Sequence, residues 1–196
     1  MRRALRGESR SPSEARAPRP GTRRAGRRKE VNSHEGVTTT IVHDQAFENG
    51  VLVEDTLDYY AQDLDGNVWY FGEDSKEIPS GSTEGSWRAG VDDADAGFIM
   101  LANPQPGDRY YQEFARNVAE DQAKVLTLYG SVCVPYQEPD FCPDHLLVTK
   151  ETTRFDPGVV ENKYYAAGIG FIRGEMVKGG DEHTELVNIT MGDCSP

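Results

Sequence analysis

The stretch VEDTLDYYAQDLDGNVWYFGED (residues 53–74) decides the fold class of this 196-residue chain. It contains five aromatic residues and seven carboxylates, and Asp65-Gly66 lies in its middle. An Asp-Gly pair between two runs rich in aromatic and β-branched residues is a strong hairpin signal, because a type I′ turn needs positive φ at both central residues. The pattern therefore predicts paired antiparallel strands over residues 56–63 and 67–75.

A two-residue turn would fix the register of this hairpin. It would place Gln62 opposite Trp69, Tyr60 opposite Phe71 and Asp58 opposite Glu73, all on one face. Like charges directly across a strand pair destabilise it. Three interpretations of the carboxylate pair remain open: both groups are hydrated, they share a proton, or they hold a cation such as Ca²⁺. The candidate ligand or cation site on this face comprises Glu54, Asp58, Tyr60, Trp69 and Glu73.

The composition favours a β protein. Twenty glycines, eleven prolines and a mean hydropathy of −0.64 suit a loop-rich fold better than a helical bundle. About ten short runs of strand-forming residues are separated by turn residues, and Glu48-Asn49-Gly50 is predicted as a turn. A second tight hairpin is predicted around Ala167-Gly168, with Tyr164 opposite Phe171. We expect a single all-β domain over residues 34–191, built as an antiparallel curved sheet, an open half-barrel or a sandwich. Little helix is expected, with residues 119–124 the helical candidate, and residues 192–196 are expected to form a tail.

The net charge of −12 combines two opposite parts. Residues 1–30 contain ten Arg and one Lys against three Glu, a charge of +8, and the remaining residues carry −20. Because residues 1–33 are Arg-, Pro- and Ser-rich and lack apolar anchors, they are predicted to form a disordered arm. The arm could contact nucleic acid, clamp the acidic body, or be upstream sequence with no role. The acidic domain itself would repel phosphates, which excludes nucleic acid as its partner.

Familiar catalytic motifs do not occur in the sequence: there is no GxSxG, no phosphate-binding loop and no dinucleotide fingerprint. A Gly-flanked loop carries three acidic residues, Asp92, Asp93 and Asp95, which form either an oxygen cluster for a cation or a solvated loop. Cys133 and Cys142 flank a predicted hairpin loop and form either a disulfide or two free thiols. The chain has no apolar segment of the kind found in a secretory signal peptide, and no run long enough to span a membrane.

Four segments occur in an order that resembles a known family. They are YYAQDLDGNVWYFGED, EGSWRAGVDDADAGFIMLANP, VLTLYGSVCVPY and VVENKYYAAGIGFIRG, spread over residues 37–190. They resemble an uncharacterised family of bacterial extracytoplasmic proteins and lipoproteins common in actinomycetes, in which DGNVWYFGE and ENKYYAxGxG are characteristic. The resemblance implies an extracytoplasmic location and a curved antiparallel sheet, and it brings no activity.

The chain departs from that family at its start. Family members begin with a signal peptide or lipobox and an aromatic-rich first strand, where this chain has its basic arm. We therefore expect an N-terminally truncated or mis-started member. Residues 37–44 would then form an unpaired sheet edge, which could pair with a second copy as an edge-strand homodimer.

The function expected from these observations is binding of a small ligand, cation or partner protein on the concave face of the sheet, without catalysis. A carboxylate-dependent hydrolase that uses Asp58 and Glu73 as an acid/base pair is the alternative enzyme class. A purely structural envelope component is the third. A large aromatic-lined cavity containing these carboxylates would favour a ligand, whereas a filled core would favour the structural role.

Overall fold

The computed structural model describes residues 20–34, 36–136 and 139–191, and within β1 and at residue 191 it describes the backbone alone. The described chain is all-β, and no helix occurs in these ranges. Thirteen strands follow one another: β1 (Pro20–His34), β2 (Val37–Glu48), β3 (Val51–Gln62), β4 (Val68–Asp74), β5 (Trp87–Arg88), β6 (Asp95–Met100), β7 (Arg109–Tyr111), β8 (Glu113–Phe114), β9 (Asp121–Gly130), β10 (Leu146–Thr153), β11 (Val160–Ala166), β12 (Gly170–Lys178) and β13 (His183–Met191).

The strands form one curved, hydrogen-bonded path in the order β7-β9-β10-β11-β12-β13-β1-β2-β3-β4-β6-β8, and β5 pairs with β4. All pairs are antiparallel except β1 with β13, which are parallel. The predicted all-β class with antiparallel pairing is therefore confirmed, as a curved sheet or sandwich. The described part of the chain contains no helix of the length and hydropathy that a membrane crossing requires.

The hairpin at the centre of the sheet is paired differently from the prediction. Residues 64–66 form a three-residue loop, in which the Gly66 amide donates to the Asp63 carbonyl (3.2 Å) and Gly66 has φ +96°. This is a turn followed by a glycine in the left-handed region, the second common way of using Asp-Gly. It shifts the pairing by one residue, so that Gln62 lies opposite Val68 and Tyr60 opposite Tyr70.

A β-bulge restores the predicted pairing further along the same hairpin. One residue of β3, Tyr59, faces two residues of β4, Phe71 and Gly72, between the Tyr60 and Asp58 pairs. Gly72 has φ +126°, and a Cβ there would overlap the carbonyl oxygen of Trp87 in β5. The bulge therefore needs glycine. Beyond it Asp58 lies opposite Glu73, as predicted, although through two compensating shifts.

The second hairpin repeats the first difference. Ala166 pairs with Gly170 across a three-residue loop, and Gly168 has φ +76°. The predicted register, with Tyr164 opposite Phe171, is therefore wrong by one residue, and Tyr165 takes that place. By contrast, the turn predicted at Glu48-Asn49-Gly50 is confirmed: Asn49 and Gly50 both have positive φ, and Glu48 pairs with Val51.

The N-terminal region requires two corrections. Residues 20–33 of the predicted arm lie in β1, which pairs with both β2 and β13, whereas residues 1–19 lie outside the described residues. Residues 37–44 consequently lie in an interior strand, so the predicted unpaired edge is wrong. The prediction used composition, which indicates only whether side chains can be buried. Backbone N–H and C=O groups can hold a strand between two neighbours even without apolar side chains.

The predicted helical turn at residues 119–124 is also wrong. Ala115 and Ala119 form an isolated bridge, and β9 begins at Asp121. β9 pairs with both β7 and β10, so two sets of ladder hydrogen bonds outweigh a weak local helical preference. The predicted tail, residues 192–196, lies outside the described residues.

Candidate functional site

The concave face of the sheet encloses a cavity of about 900 Å³. Side chains from β2, β3, β4, β6, β8 and β9 to β13 line it, because alternate residues of each strand point to the same face. The cavity places residues far apart in sequence next to each other, and it is the candidate functional site of the molecule.

Four of the five predicted site residues line the cavity: Glu54, Asp58, Tyr60 and Glu73. Trp69 does not. Its indole packs on Phe98 with ring centroids 3.9 Å apart, and its N–H donates to Asp63 (2.8 Å). The physical reason is the three-residue loop, which shifts the register by one and moves Trp69 to the opposite face of the sheet.

A tyrosine lies between the two central carboxylates. The Tyr70 hydroxyl is 2.6 Å from Asp58 Oδ1 and 2.9 Å from Glu73 Oε2. Its ring stacks on Tyr60, with ring centroids 4.8 Å apart. A phenol has one hydrogen to donate, so two ionised carboxylates cannot both accept from it. The hydroxyl therefore donates to one of the two carboxylates at a time.

Glu113 in β8 joins this end of the cavity from across the sheet. Burial raises the pKa of Glu113 well above its usual 4.5, and the negative charges of Asp121, Glu73 and Asp58 raise it further, while Lys163 opposes them. Burial is likewise the first cause that raises the pKa of Tyr70 well above 10.0, followed by the charge of Asp58. The environment at this end therefore disfavours additional negative charge.

The buried carboxylate of Glu151 in β10 stands beside the cavity wall in a different setting. It accepts hydrogen bonds from Thr149 (2.7 Å), Tyr165 (2.9 Å) and Gln112 (3.0 Å), and it pairs with the Lys163 ammonium (2.8 Å). Burial raises the pKa of Glu151, but the ammonium and the donors outweigh it and leave the pKa below the usual 4.5. Glu151 is thus held as an ionised structural group.

The far end of the cavity is apolar. It lies towards the β3–β4 and β11–β12 loops, and its lining includes Ile99, Met100, Leu101, Leu128, Leu147 and Phe171. Sequence reasoning missed these residues, and it also missed Tyr70, Glu113, Lys163 and Tyr165. No local pattern distinguishes a strand residue that lines a cavity from one that packs in a core, because strands distant in sequence build the opposite wall.

The other predicted sites lie away from the cavity or have no metal geometry. Asp92 and Asp93 are exposed in a loop with positive φ at both residues, and Asp95 begins β6. Neither these three nor any other His, Cys, Asp and Glu side chains of residues 36–136 and 139–190 gather in groups of three that could hold a metal ion. The structure therefore gives no support to a Ca²⁺ site at Glu54, Asp58 and Glu73.

Cys133 and Cys142 are joined by a disulfide, with Cα atoms 4.0 Å apart. The bridge closes the loop between β9 and β10, and Val134 and Phe141 form an isolated backbone bridge inside it. The sequence left a disulfide and free thiols open, and the structure contains the disulfide. Cys194 lies outside the described residues.

No protein-family model matches the chain, and neither a curated protein nor a solved structure shows significant similarity to it.

Proposed function

We propose that this protein binds a small ligand in the cavity on its concave face and does not transform it chemically. The observation that carries the proposal is the cavity itself, about 900 Å³ with a wall of mixed chemistry. Ligand sites in proteins measure roughly 300–1,000 Å³ and combine apolar walls with a few placed polar groups. A purely structural component would instead fill this space with side chains, as close-packed protein interiors do.

The position of Tyr70 argues against the hydrolase alternative. Two carboxylates that act on a glycosidic bond flank the bond, with the substrate between them. Here the Tyr70 hydroxyl occupies the space between Asp58 and Glu73 and contacts both. A substrate atom would have to displace a buried phenol that belongs to the packed core. Asp58 and Glu73 can still accept hydrogen bonds from a bound ligand on the cavity wall, because binding does not require the Tyr70 phenol to move.

Two observations support an extracytoplasmic location. Disulfides persist in oxidising compartments and are rare in the cytosol, and Cys133–Cys142 is a disulfide. The family resemblance of residues 37–190 points to the same side of the membrane. Thiol labelling of the unfolded, unreduced protein tests the bridge: we expect one reactive cysteine per chain, Cys194, and three after reduction.

A fluorescent probe tests the cavity. We expect the neutral dye N-phenyl-1-naphthylamine to bind the full-length protein at one saturable site, because its rings match an apolar pocket. Leu128→Trp, which places a larger side chain on the cavity wall, should weaken binding at least tenfold. Leu126→Trp is the matched control, since Leu126 is 39 % exposed on the same strand and does not line the cavity.

The two variants also define the contrary result. If the dye does not bind, or if Leu126→Trp weakens binding as much as Leu128→Trp, the cavity is not a ligand site. Both variant proteins are compared with wild type by circular dichroism, so that a loss of fold is recognised as such.

A further inference from the structure

A row of basic side chains crosses three neighbouring strands on the convex side of the sheet. Arg109 in β7 lies directly opposite Lys124 in β9, and Lys124 lies directly opposite Lys150 in β10. Residues next to them in sequence, such as Ala123 and Glu151, are buried on the inner side. Because successive side chains of a strand alternate between its two faces, the three basic groups point away from the cavity.

The charges of this row are not matched by the protein. Arg109 and Lys150 are exposed and Lys124 is half-buried. In the part of the chain that the structure describes, the side chains of these three residues make neither an ion pair nor a hydrogen bond, whereas Arg154 and Arg173 are paired with glutamates. Like charges directly opposite each other on adjacent strands destabilise a sheet. The row therefore opposes folding, which indicates a role outside the fold.

Uncharged polar groups flank the row on the same side of the sheet. Tyr111 lies opposite Gln122, and Gln122 lies opposite Thr152. The Tyr111 side chain is 44 % exposed. Asn162 in β11 lies opposite Lys150 and extends the basic row to a fourth strand. These four residues and the three cations together form the basic face, in which hydrogen-bonding groups and one aromatic ring accompany the positive charges.

Charge complementarity selects an anionic partner for the basic face, although the chain as a whole is acidic. At physiological salt, charges more than about 8 Å apart are largely screened, so a ligand on this face responds mainly to the local cations. Adjacent strands lie about 4.8 Å apart, and the cations follow one another at that interval along a line across the strands. A polymer with one carboxylate per sugar residue presents anions at a comparable interval, together with hydroxyl groups for Gln122, Thr152 and Asn162.

We infer that the basic face binds an acidic polysaccharide, on the side of the sheet opposite the cavity. Carboxylates of the polymer lie beside Arg109, Lys124 and Lys150, and the planar Arg109 guanidinium can hold one of them through two hydrogen bonds. Two other anionic partners fit this face less well. Single-stranded nucleic acid is bound through several aromatic rings on which bases stack, and the basic face has only Tyr111. Three basic residues attach a protein only weakly to an anionic membrane.

Polygalacturonate, which carries one carboxylate per sugar residue, is the probe. Its fluorescein-labelled form is titrated with the full-length protein in calcium-free buffer at pH 7, and binding is followed by fluorescence anisotropy. We expect saturable binding that weakens several-fold when the salt concentration rises from about 50 mM to about 200 mM, because salt screens the row. The fully methyl-esterified polymer has the same backbone without the charges, and it should not bind.

Single substitutions separate the basic face from the Arg-rich residues 1–33, which also attract polyanions. Lys124→Gln and Lys150→Gln should each weaken binding of polygalacturonate several-fold. Lys76→Gln is the matched control, because Lys76 is an exposed lysine outside the basic face, and this variant should bind like wild type. Lys124→Gln should not lower the melting temperature, since it removes a like charge from between two others. A lysine with a structural role would behave in the opposite way.

Four results would overturn the inference, and none of them bears on the cavity. Equal losses of binding in Lys76→Gln and Lys150→Gln would place the polymer elsewhere on the protein. Equal affinity for the methyl-esterified polymer would show that charge does not select the ligand. A fall in the melting temperature of Lys124→Gln would assign the row to the fold. Tighter binding of a thymidine oligonucleotide or of phosphatidylglycerol vesicles through the same lysines would assign the face to another class of partner.

Discussion

Glu151 and Glu113 stand on the same concave side of the sheet, and their pKa values shift in opposite directions. Glu151 is surrounded by a lysine and three neutral donors, which keep it ionised. Glu113 faces Asp58, Glu73 and Asp121, and desolvation together with these charges raises its pKa. Burial alone therefore does not decide whether a carboxylate is structural or available to a ligand. The groups around it decide.

The largest expected loss in the free energy of unfolding follows from a substitution of Glu151. Glu151→Ala leaves Lys163 half-buried with its strongest partner gone and three donors without an acceptor. Breaking a buried ion pair in this way costs about 3–5 kcal/mol. Urea unfolding at pH 7 measures it. Glu161→Ala is the control, since Glu161 lies 3.7 Å from Lys163 and is more exposed, and it should cost about 1 kcal/mol or less. If both substitutions lower the free energy of unfolding equally, the buried Glu151–Lys163 ion pair contributes no more than the exposed one.

The bulge that aligns Glu73 with Asp58 should be nearly as sensitive. Gly72→Ala imposes a side chain at φ +126° and on the backbone of Trp87, and we expect a loss of about 3 kcal/mol in the free energy of unfolding. Gly168→Ala, at φ +76° with open space around it, should cost about 1 kcal/mol. If the two substitutions cost the same, the contact with β5 does not constrain the bulge.

Removal of the bridging hydroxyl should have a moderate effect. Tyr70→Phe places Asp58 and Glu73 together without the phenol, and we expect a loss of about 2 kcal/mol at pH 7. Tyr59→Phe is the control, because the Tyr59 hydroxyl bonds Asp74, whose side chain is 58 % exposed. A loss no larger than that of Tyr59→Phe would show that the bridge between Asp58 and Glu73 adds nothing to stability.

The smallest change in the free energy of unfolding at low pH is expected for Glu113. Its pH dependence should also have the opposite sign to that of Glu151. A carboxyl whose pKa is raised on folding contributes stability that is present below about 4.5 and is lost as pH rises through its folded pKa. Glu113→Gln should therefore match wild type at pH 5 and remove a decline in stability at higher pH. Glu151, with its lowered pKa, contributes in the opposite direction, above 4.5. Unfolding titrations from about pH 3 to pH 8 cover both windows, and a wild-type stability that does not fall as pH rises would refute the assignment to Glu113.

The loops show how far local signals reach. Asn49-Gly50 was predicted as a turn and is one, with positive φ at both residues. Asp65-Gly66 and Ala167-Gly168 mark hairpins correctly, but both loops have three residues. Gly66 takes the left-handed position at the end of its turn, whereas Gly168 lies inside a turn that the Ile169 amide closes onto the Ala166 carbonyl. One extra residue moved Trp69 out of the cavity and brought Tyr70 into it. The bulge at Gly72, which depends on contact with β5, carried no signal that the sequence pattern could reveal.

What the sequence by itself determined is the β class, the positions of the hairpins and the presence of carboxylates on the face of β3, because alternation and turn chemistry act within a few residues. Tertiary structure alone decided that Glu113 from β8 lies near Asp58 and Glu73, and that β1 pairs with β13. These contacts join residues between 40 and 160 positions apart, roughly, where no periodic pattern applies. The cavity forms only when strands distant in sequence are brought together in the sheet, so the chemistry of any ligand also depends on the tertiary structure.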